Sequence, residues 1–316
     1  MATDWTTPRD WTTAELVTET MMDTHVKGNF NALMNALART CSGRLTLTSG
    51  TAVTTADVTA AATLYFAPHL GKHIWLYDGA AWAPHYFSET SLSLASISSG
   101  VNYDIFGYNS SGTFTLELLA WTNDSTRATA LTTQDGILVK TGATTRRYLG
   151  TIRGSAAGQT EDSFAKRFVW NYYNRVRRGM RAVDGTNTWD YTTATYRQAN
   201  AAAANQLACV IGVAEVLLRA EVRALAQNTD VDVFAIVAVG EDSTSSPASN
   251  QIHSPGETAV GGAAVPVTAL LEKYPAAGYH YYAWLEYSEA VGTMTWIGDA
   301  GDATQFQSGI IGWVEG

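Results

Sequence analysis

His69 and His73 stand four residues apart, a spacing that brings two imidazoles to one metal only if both ride on a single helix. Here they bracket Leu70 and Gly71, a turn pair between strand-like runs, so no metal site is expected. Asp230 and Asp232 alternate as residues on one face of a strand do, and Glu241 and Asp242 adjoin a serine-rich stretch. Paired carboxylates are the machinery of glycoside hydrolysis. They are equally the surface acids of an acidic protein, and no catalytic centre is expected. Neither a Gly-x-Ser-x-Gly elbow nor a phosphate-binding glycine loop occurs. Cys41 and Cys209 fall in no metal or redox spacing and read as unpaired thiols, one of them buried. No cofactor is implied. Asn109-Ser110-Ser111 and Asn123-Asp124-Ser125 match the glycosylation pattern by chance, since no secretion signal precedes them.

Five aromatics fall in turn-rich segments: Trp82, Tyr86, Trp189, Tyr191 and Tyr196. Flat rings stack on sugar faces, which makes them candidates for glycan contact. Packing in a core or between subunits is the plainer role for each.

These residues must be positioned by two kinds of element. Near the N-terminus, Thr12, Thr13 and Glu15 predict a capped helix start. Met22, Val26, Phe30, Leu33 and Leu37 then recur in steps of four, four, three and four, close to a heptad seam. About two heptads are too few for a stable isolated coiled coil. The stripe therefore packs on its own domain, or it bundles with copies of itself or docks on a larger assembly. His25 and Lys27 read as surface residues beside it.

After the helix the period becomes two. Ile74 and Leu76 alternate with Trp75 and Tyr77 before a turn at Asp78-Gly79, a strong hairpin signal. A second hairpin is expected about Asn109–Gly112, with Thr113 to Trp121 returning, and a third about Gly142. Phe168, Trp170 and Tyr172 alternate with Val169, Asn171 and Tyr173. Between residues 205 and 228 propensity favours helix. Yet Arg219, Glu221 and Arg223 alternate with Ala220, Val222 and Ala224, which is a strand pattern. "VDVFAIVAVG" reads as a buried strand, residues 241–262 as a long exposed loop, "GYHYYAWLEYS" with "TMTWIGD" as a last hairpin, and "QSGIIGWVEG" as a closing strand. The expected fold is mainly β: a short N-terminal helix followed by two antiparallel β-sandwich (jelly-roll-like) domains. The expected divisions are an arm and helix over 1–40, a hairpin connector over 41–88, and sandwiches over 89–183 and 184–316.

Charged residues make up only 16% of the 316, and polarity comes from Thr, Ser, Asn and Gly. About a quarter is usual. Such a surface suits a rigid particle component better than a busy enzyme. The net charge of −9 argues against general nucleic-acid affinity. The charge is uneven: residues 140–181 hold ten of the twenty basic residues and carry +8, leaving −17 elsewhere. Internal pairing, a solvated face, or contact between neighbouring subunits would each account for that stretch. No run of about 18 apolar residues occurs, so membrane insertion is not expected. No basic region followed by an apolar run opens the chain, so synthesis in a cytoplasm without a signal peptide is expected.

Several phrases then assemble: "WTTPRDWTTAELVTETMMDTHVKGNFNAL", "LYDGAAW", "LELLAWTNDSTRATALTTQDGILVKTGATTRRYLGTIR", "GQTEDSFAKRFVWNYYNRVRR" and "GYHYYAWLEYSEAVGTMTWIGDAG" with "QSGIIG". Together they resemble a group of structural proteins of tailed bacteriophages, virion proteins of tail- or fibre-like type, over nearly the whole chain. The stretch from Ala120 to Arg153 is the most specific. The resemblance implies a virion component, a homotrimeric fibre or spike whose N-terminal arm and helix attach to other virion proteins while the β domains project. It carries no catalytic motif. Contact of the C-terminal domain with host surface glycan is compatible with it. A capsid decoration or head-fibre protein without receptor role is an alternative, and a glycan-hydrolysing tailspike is another. On this reading, removal of residues 1–40 abolishes attachment and leaves the β domains folded.

Overall fold

The computed structural model describes residues 5–259 and 262–316. The protein is mainly β, with one helical segment near its N-terminus and several sheets, none of them closed into a barrel among the described residues.

The helical segment runs as Glu19–Met22, a π-helical turn Asp23–Lys27, and Gly28–Leu37. It starts later than expected. Thr12 and Glu15 do make capping-type hydrogen bonds, Thr12 N–H donating to Glu15 Oε2 at 3.2 Å. Ala14, however, sits at φ +64°, a left-handed conformation that no helix continues through. Thr18 is the working cap, its hydroxyl accepting from the Met21 N–H at 3.3 Å. The π turn has a sequence cause. Two successive steps of four, Met22 to Val26 to Phe30, carry one residue more than a heptad allows, and the wider turn takes it up.

Four sheets follow. Three strands, Gly43–Thr46, Thr63–Pro68 and Thr90–Ser93, form one. His73–Tyr77 and Trp82–Tyr86 form the expected hairpin, its turn fixed by Asp78 Oδ1 accepting the Ala80 and Ala81 N–H groups at 2.7 and 2.8 Å. A fourteen-stranded sheet contains Asn102–Ser110, Thr113–Ala120, Ala143–Ala156, Gln206–Ile211, Phe234–Glu241 and Gly278–Ser288. A seven-stranded sheet is built on Leu218–Asn228, flanked by Gly309–Glu315 and Val265–Lys273. The described ladders are antiparallel, apart from Lys166–Arg167 beside Gln206–Ile211. That parallel pair joins strands on either side of residue 183 into one sheet.

Two cores lie on opposite sides of Ala143–Ala156. Residues 147–154 of this strand are buried on both faces. A bulge between Tyr148 and Gly150 sends Tyr148 into one core and Leu149 into the other. The larger core sets Val237, Val239 and Trp284 of the fourteen-stranded sheet against Val222, Val267 and Leu271 of the seven-stranded one. The second gathers Leu45, Phe66, Ile74, Ile105 and Ile152.

Of the two readings open for 205–228, the structure has strand, as Gln206–Ile211 and Leu218–Asn228: Ala220, Val222 and Ala224 are buried while Arg219 and Arg223 face outward. The last hairpin does not form. Gly278–Ser288 is flanked on one side by Gln206–Ile211 and on the other by Phe234–Glu241, so it has no free edge for Met294–Ile297. That segment instead joins the seven-stranded sheet, beside Thr188–Asp190 and Leu218–Asn228. The loop expected over 241–262 carries two short strands, Ile252–Ser254 and Gly256–Glu257, and residues 260 and 261 of it lie outside the described residues. Both cysteines are buried and free, rather than one.

Candidate functional site

Exposed apolar side chains are concentrated where the helical segment lies. Among the described residues, eight of the nineteen large exposed apolar side chains fall between Trp5 and Leu37. Four of the five seam residues belong to this set: Met22 (45% exposed), Phe30 (62%), Leu33 (49%) and Leu37 (46%), while Val26 is half-buried. About half of each of these four side chains is therefore open to solvent. Met34 and Ala38, on another face, pack with Trp75, Trp82, Ile137 and Val139 and seat the last turn on the β body.

The arm lies along the helix. Asn29, itself buried, accepts the Thr6 N–H at 2.8 Å and donates to the Thr6 carbonyl at 2.9 Å, a two-bond clip on an otherwise irregular segment. Trp5, Pro8, Phe30 and Leu33 thereby line an apolar groove of about 310 Å³. His25 is half-buried rather than a surface residue, edge-on to Trp11 with centroids 6.4 Å apart, while Lys27 is exposed.

Arg147 fixes this unit to the body. Its guanidinium, 1% exposed, donates to the carbonyls of Ala38, Arg39 and Trp75 at 2.9, 2.8 and 2.6 Å, to Thr40 at 3.2 Å, and to the Tyr173 hydroxyl at 3.1 Å. A cation here meets the negative end of the helix dipole. It also lies over the Tyr173 ring, 4.6 Å from its centroid. Burial pushes the Tyr173 phenol up to about 12. The sequence offers no sign of this role, since Arg147 is one of ten basic residues in a stretch and Arg146 beside it pairs on the surface with Glu117.

The rest of the basic stretch is mostly paired internally. Arg167 and Arg178 share buried Asp162 at 3.0 and 2.8 Å, Arg153 meets Asp124 at 2.7 Å, and Arg175 meets Glu215 at 2.7 Å.

The five loop aromatics are not brought together. Trp82 is buried and donates its indole N–H to Asp135 at 3.0 Å. Trp189 is buried against Trp284 and donates to Glu286 at 2.7 Å. Tyr191 is half-buried under the Arg197 guanidinium, and Tyr196 packs against Tyr287. Tyr86 alone of the five is widely exposed, at 78%, with the His73 ring 4.1 Å away. In both Trp82 and Trp189, the apolar ring is buried and the indole N–H has an acceptor.

Two of the four carboxylate candidates are paired locally. Glu241 meets Lys273 at 2.6 Å and Asp242 meets His280 at 2.8 Å. These acids and His280 place ligand-type atoms within 4.8 Å of one another, yet an ammonium and a doubly bonded imidazole already occupy those atoms. Asp230 and Asp232 are exposed. His69 and His73 join no such group among the described residues. Asn109 and Asn123 cap turns with their side-chain oxygens, accepting the N–H of Gly112 at 2.7 Å and of Thr126 at 2.8 Å.

Among the described residues no helix is long and apolar enough to cross a membrane. No family model and no curated protein matches the chain. Among solved structures, the insecticidal delta-endotoxin Cry8Ea1 from Bacillus thuringiensis is similar at 8% identity, with a TM-score of 0.25, over 87% of this chain. The chain spans about half that toxin's length, 52% of it.

Proposed function

We propose that this chain is a structural component of a tailed-phage virion, a projecting fibre- or spike-like protein that assembles from identical copies, as a trimer. Its arm and helix form the attachment and bundling unit. Its β body, organised as two jelly-roll-like sandwiches, projects from the particle, and its C-terminal half is available for contact with host surface glycan. No reaction centre is assigned to it.

The observation that carries this reading is the exposed stripe Met22, Phe30, Leu33 and Leu37 with Trp5 beside it, on a helix whose far end is seated on the body. Fully burying one such side chain is worth roughly 1.5–3 kcal/mol, so several half-exposed ones together are a strong drive to associate. Identical copies cover it symmetrically. The likeness of the sequence phrases to phage structural proteins points the same way.

Sedimentation of the full chain at micromolar concentration tests it. Three chain masses are expected, falling to one in the double variant Phe30→Ser, Leu33→Ser. A monomeric native chain, or an assembly indifferent to that variant, overturns the reading. Immunolabelling of intact particles tests the virion assignment separately.

A further inference from the structure

We infer that His280, held between Asp242 and the Ala276 carbonyl, is a clamp released by rising pH that ties the chain after Asp242 and the turn before Gly278 to the β body. It is independent of the proposed assembly role.

The geometry sets the protonation. His280 Nε2 lies 3.1 Å from the Ala276 carbonyl oxygen, which only accepts, so Nε2 carries a proton. Nδ1 lies 2.8 Å from Asp242 Oδ2, and an ionised carboxylate also only accepts. A neutral imidazole has one N–H. Both bonds exist together only in the imidazolium. Asp242 Oδ1 accepts the Tyr281 N–H at 2.9 Å, and the Asp242 N–H donates back to the Tyr281 carbonyl at 2.9 Å. One ring thus joins the end of Phe234–Glu241, the turn 274–277 and the start of Gly278–Ser288.

The surroundings favour the charge. From the end of Phe234–Glu241 come Asp242 and Glu241, and from Val265–Lys273 comes Lys273, which is bound to Glu241 at 2.6 Å. Cys209 stands opposite His280 in the ladder with Gln206–Ile211. Tyr279, Tyr281 and Tyr282 flank it on its own strand, and Arg153, paired with Asp124, lies over the Tyr279 ring at 3.6 Å. Burial works against the charged ring, but the Asp242 carboxylate, the Ala276 carbonyl and Glu241 outweigh it and raise the His280 pKa above 6.5. Burial likewise opposes the Asp242 anion, and the His280 bond, the Tyr281 N–H and the two nearby cations outweigh it, lowering its pKa below 3.8.

The sign follows. The histidine contribution is full below 6.5 and is lost as pH rises through the raised value. The aspartate contribution is full above 3.8 and is lost as pH falls through the lowered value. The clamp holds between the two. On its alkaline side the neutral ring must abandon one acceptor.

An NMR titration of the full chain tests this, the His280 ring signal being the one absent from His280→Gln. His280 is expected to titrate above 6.5 and to titrate lower in Asp242→Asn. The hydrogen-exchange protection of the Tyr281 amide is expected to fall about tenfold as the ring deprotonates, and to be flat with pH in His280→Gln. A native His280 that titrates at or below 6.5, or Tyr281 protection unchanged across its titration, overturns the clamp. If His280→Gln fails to fold, the native titration and Asp242→Asn decide the question, since Asp242→Asn keeps a hydrogen-bond acceptor in place.

Discussion

Arg147 is a buried cation with no carboxylate against it among the described residues. Its charge is met by carbonyl dipoles of residues 38–40 and 75 and by the Tyr173 and Trp82 rings. Replacing it with methionine keeps most of the volume and leaves those carbonyls without donors in a place water reaches poorly. Each such group costs about 1–3 kcal/mol, though relaxation lets some find other donors. Arg147→Met is therefore expected to lose about 2–4 kcal/mol in urea unfolding followed by tryptophan fluorescence. Its neighbour Arg146 is a contrast. It is more exposed, shares Glu117 with Lys140 and stacks on Tyr108, so Arg146→Met should stay within about 1 kcal/mol of native. A loss for Arg147→Met no larger than that for Arg146→Met would show that the helix end is held by packing alone.

Among the elements, legibility depended on whether one face or two are buried. Leu218–Asn228 shows its alternation openly because Arg219, Glu221 and Arg223 share the outer face. The hairpins about Asp78-Gly79 and Ser111-Gly112 were legible because their turns are local, with Ser111 and Gly112 both at positive φ. Ala143–Ala156 hides its role, because Arg147, Thr151 and Arg153 are buried along with its apolar residues, so polarity along it does not mark an outward face. Nor does any local signal give the partners of Gly278–Ser288, whose flanking strands pair with it across 41 to 77 residues of sequence. The helix start was misplaced because a good capping pair is undone by the single left-handed residue Ala14. At the bulge of Ala143–Ala156, a Cβ on Gly150 would run into the Trp170 carbonyl oxygen, a backbone atom of the paired strand. Gly150→Ala is expected to cost more than about 3 kcal/mol, whereas Gly79→Ala in an open turn should cost about 1 kcal/mol, from its positive φ alone. Chemical denaturation of the two variants distinguishes these outcomes.

For the molecule as a whole, the helix is two things at once: a free apolar stripe on one face and a plug on another. The expectation that residues 1–40 can be removed without harm to the β body meets a difficulty here. Their removal takes away Met34 and Ala38 from a buried cluster and strips Arg147 of most of its acceptors. Such a deletion is expected to lower the melting temperature by several degrees, while Phe30→Ser with Leu33→Ser leaves melting nearly unchanged at a concentration where the chain is monomeric. Differential scanning calorimetry checks both. Attachment is then best probed with the stripe variant, in which the body remains intact.

The two thiols have a practical use. Cys41 and Cys209 are both enclosed, and desolvation pushes each thiol upward, so neither presents a thiolate at neutral pH. A maleimide dye should leave the folded native chain unlabelled and attach about once per chain to Tyr86→Cys. Under mild oxidation, Leu33→Cys should crosslink only where two helices lie side by side. The molecule thus supplies its own silent background for testing whether copies meet, and through which faces.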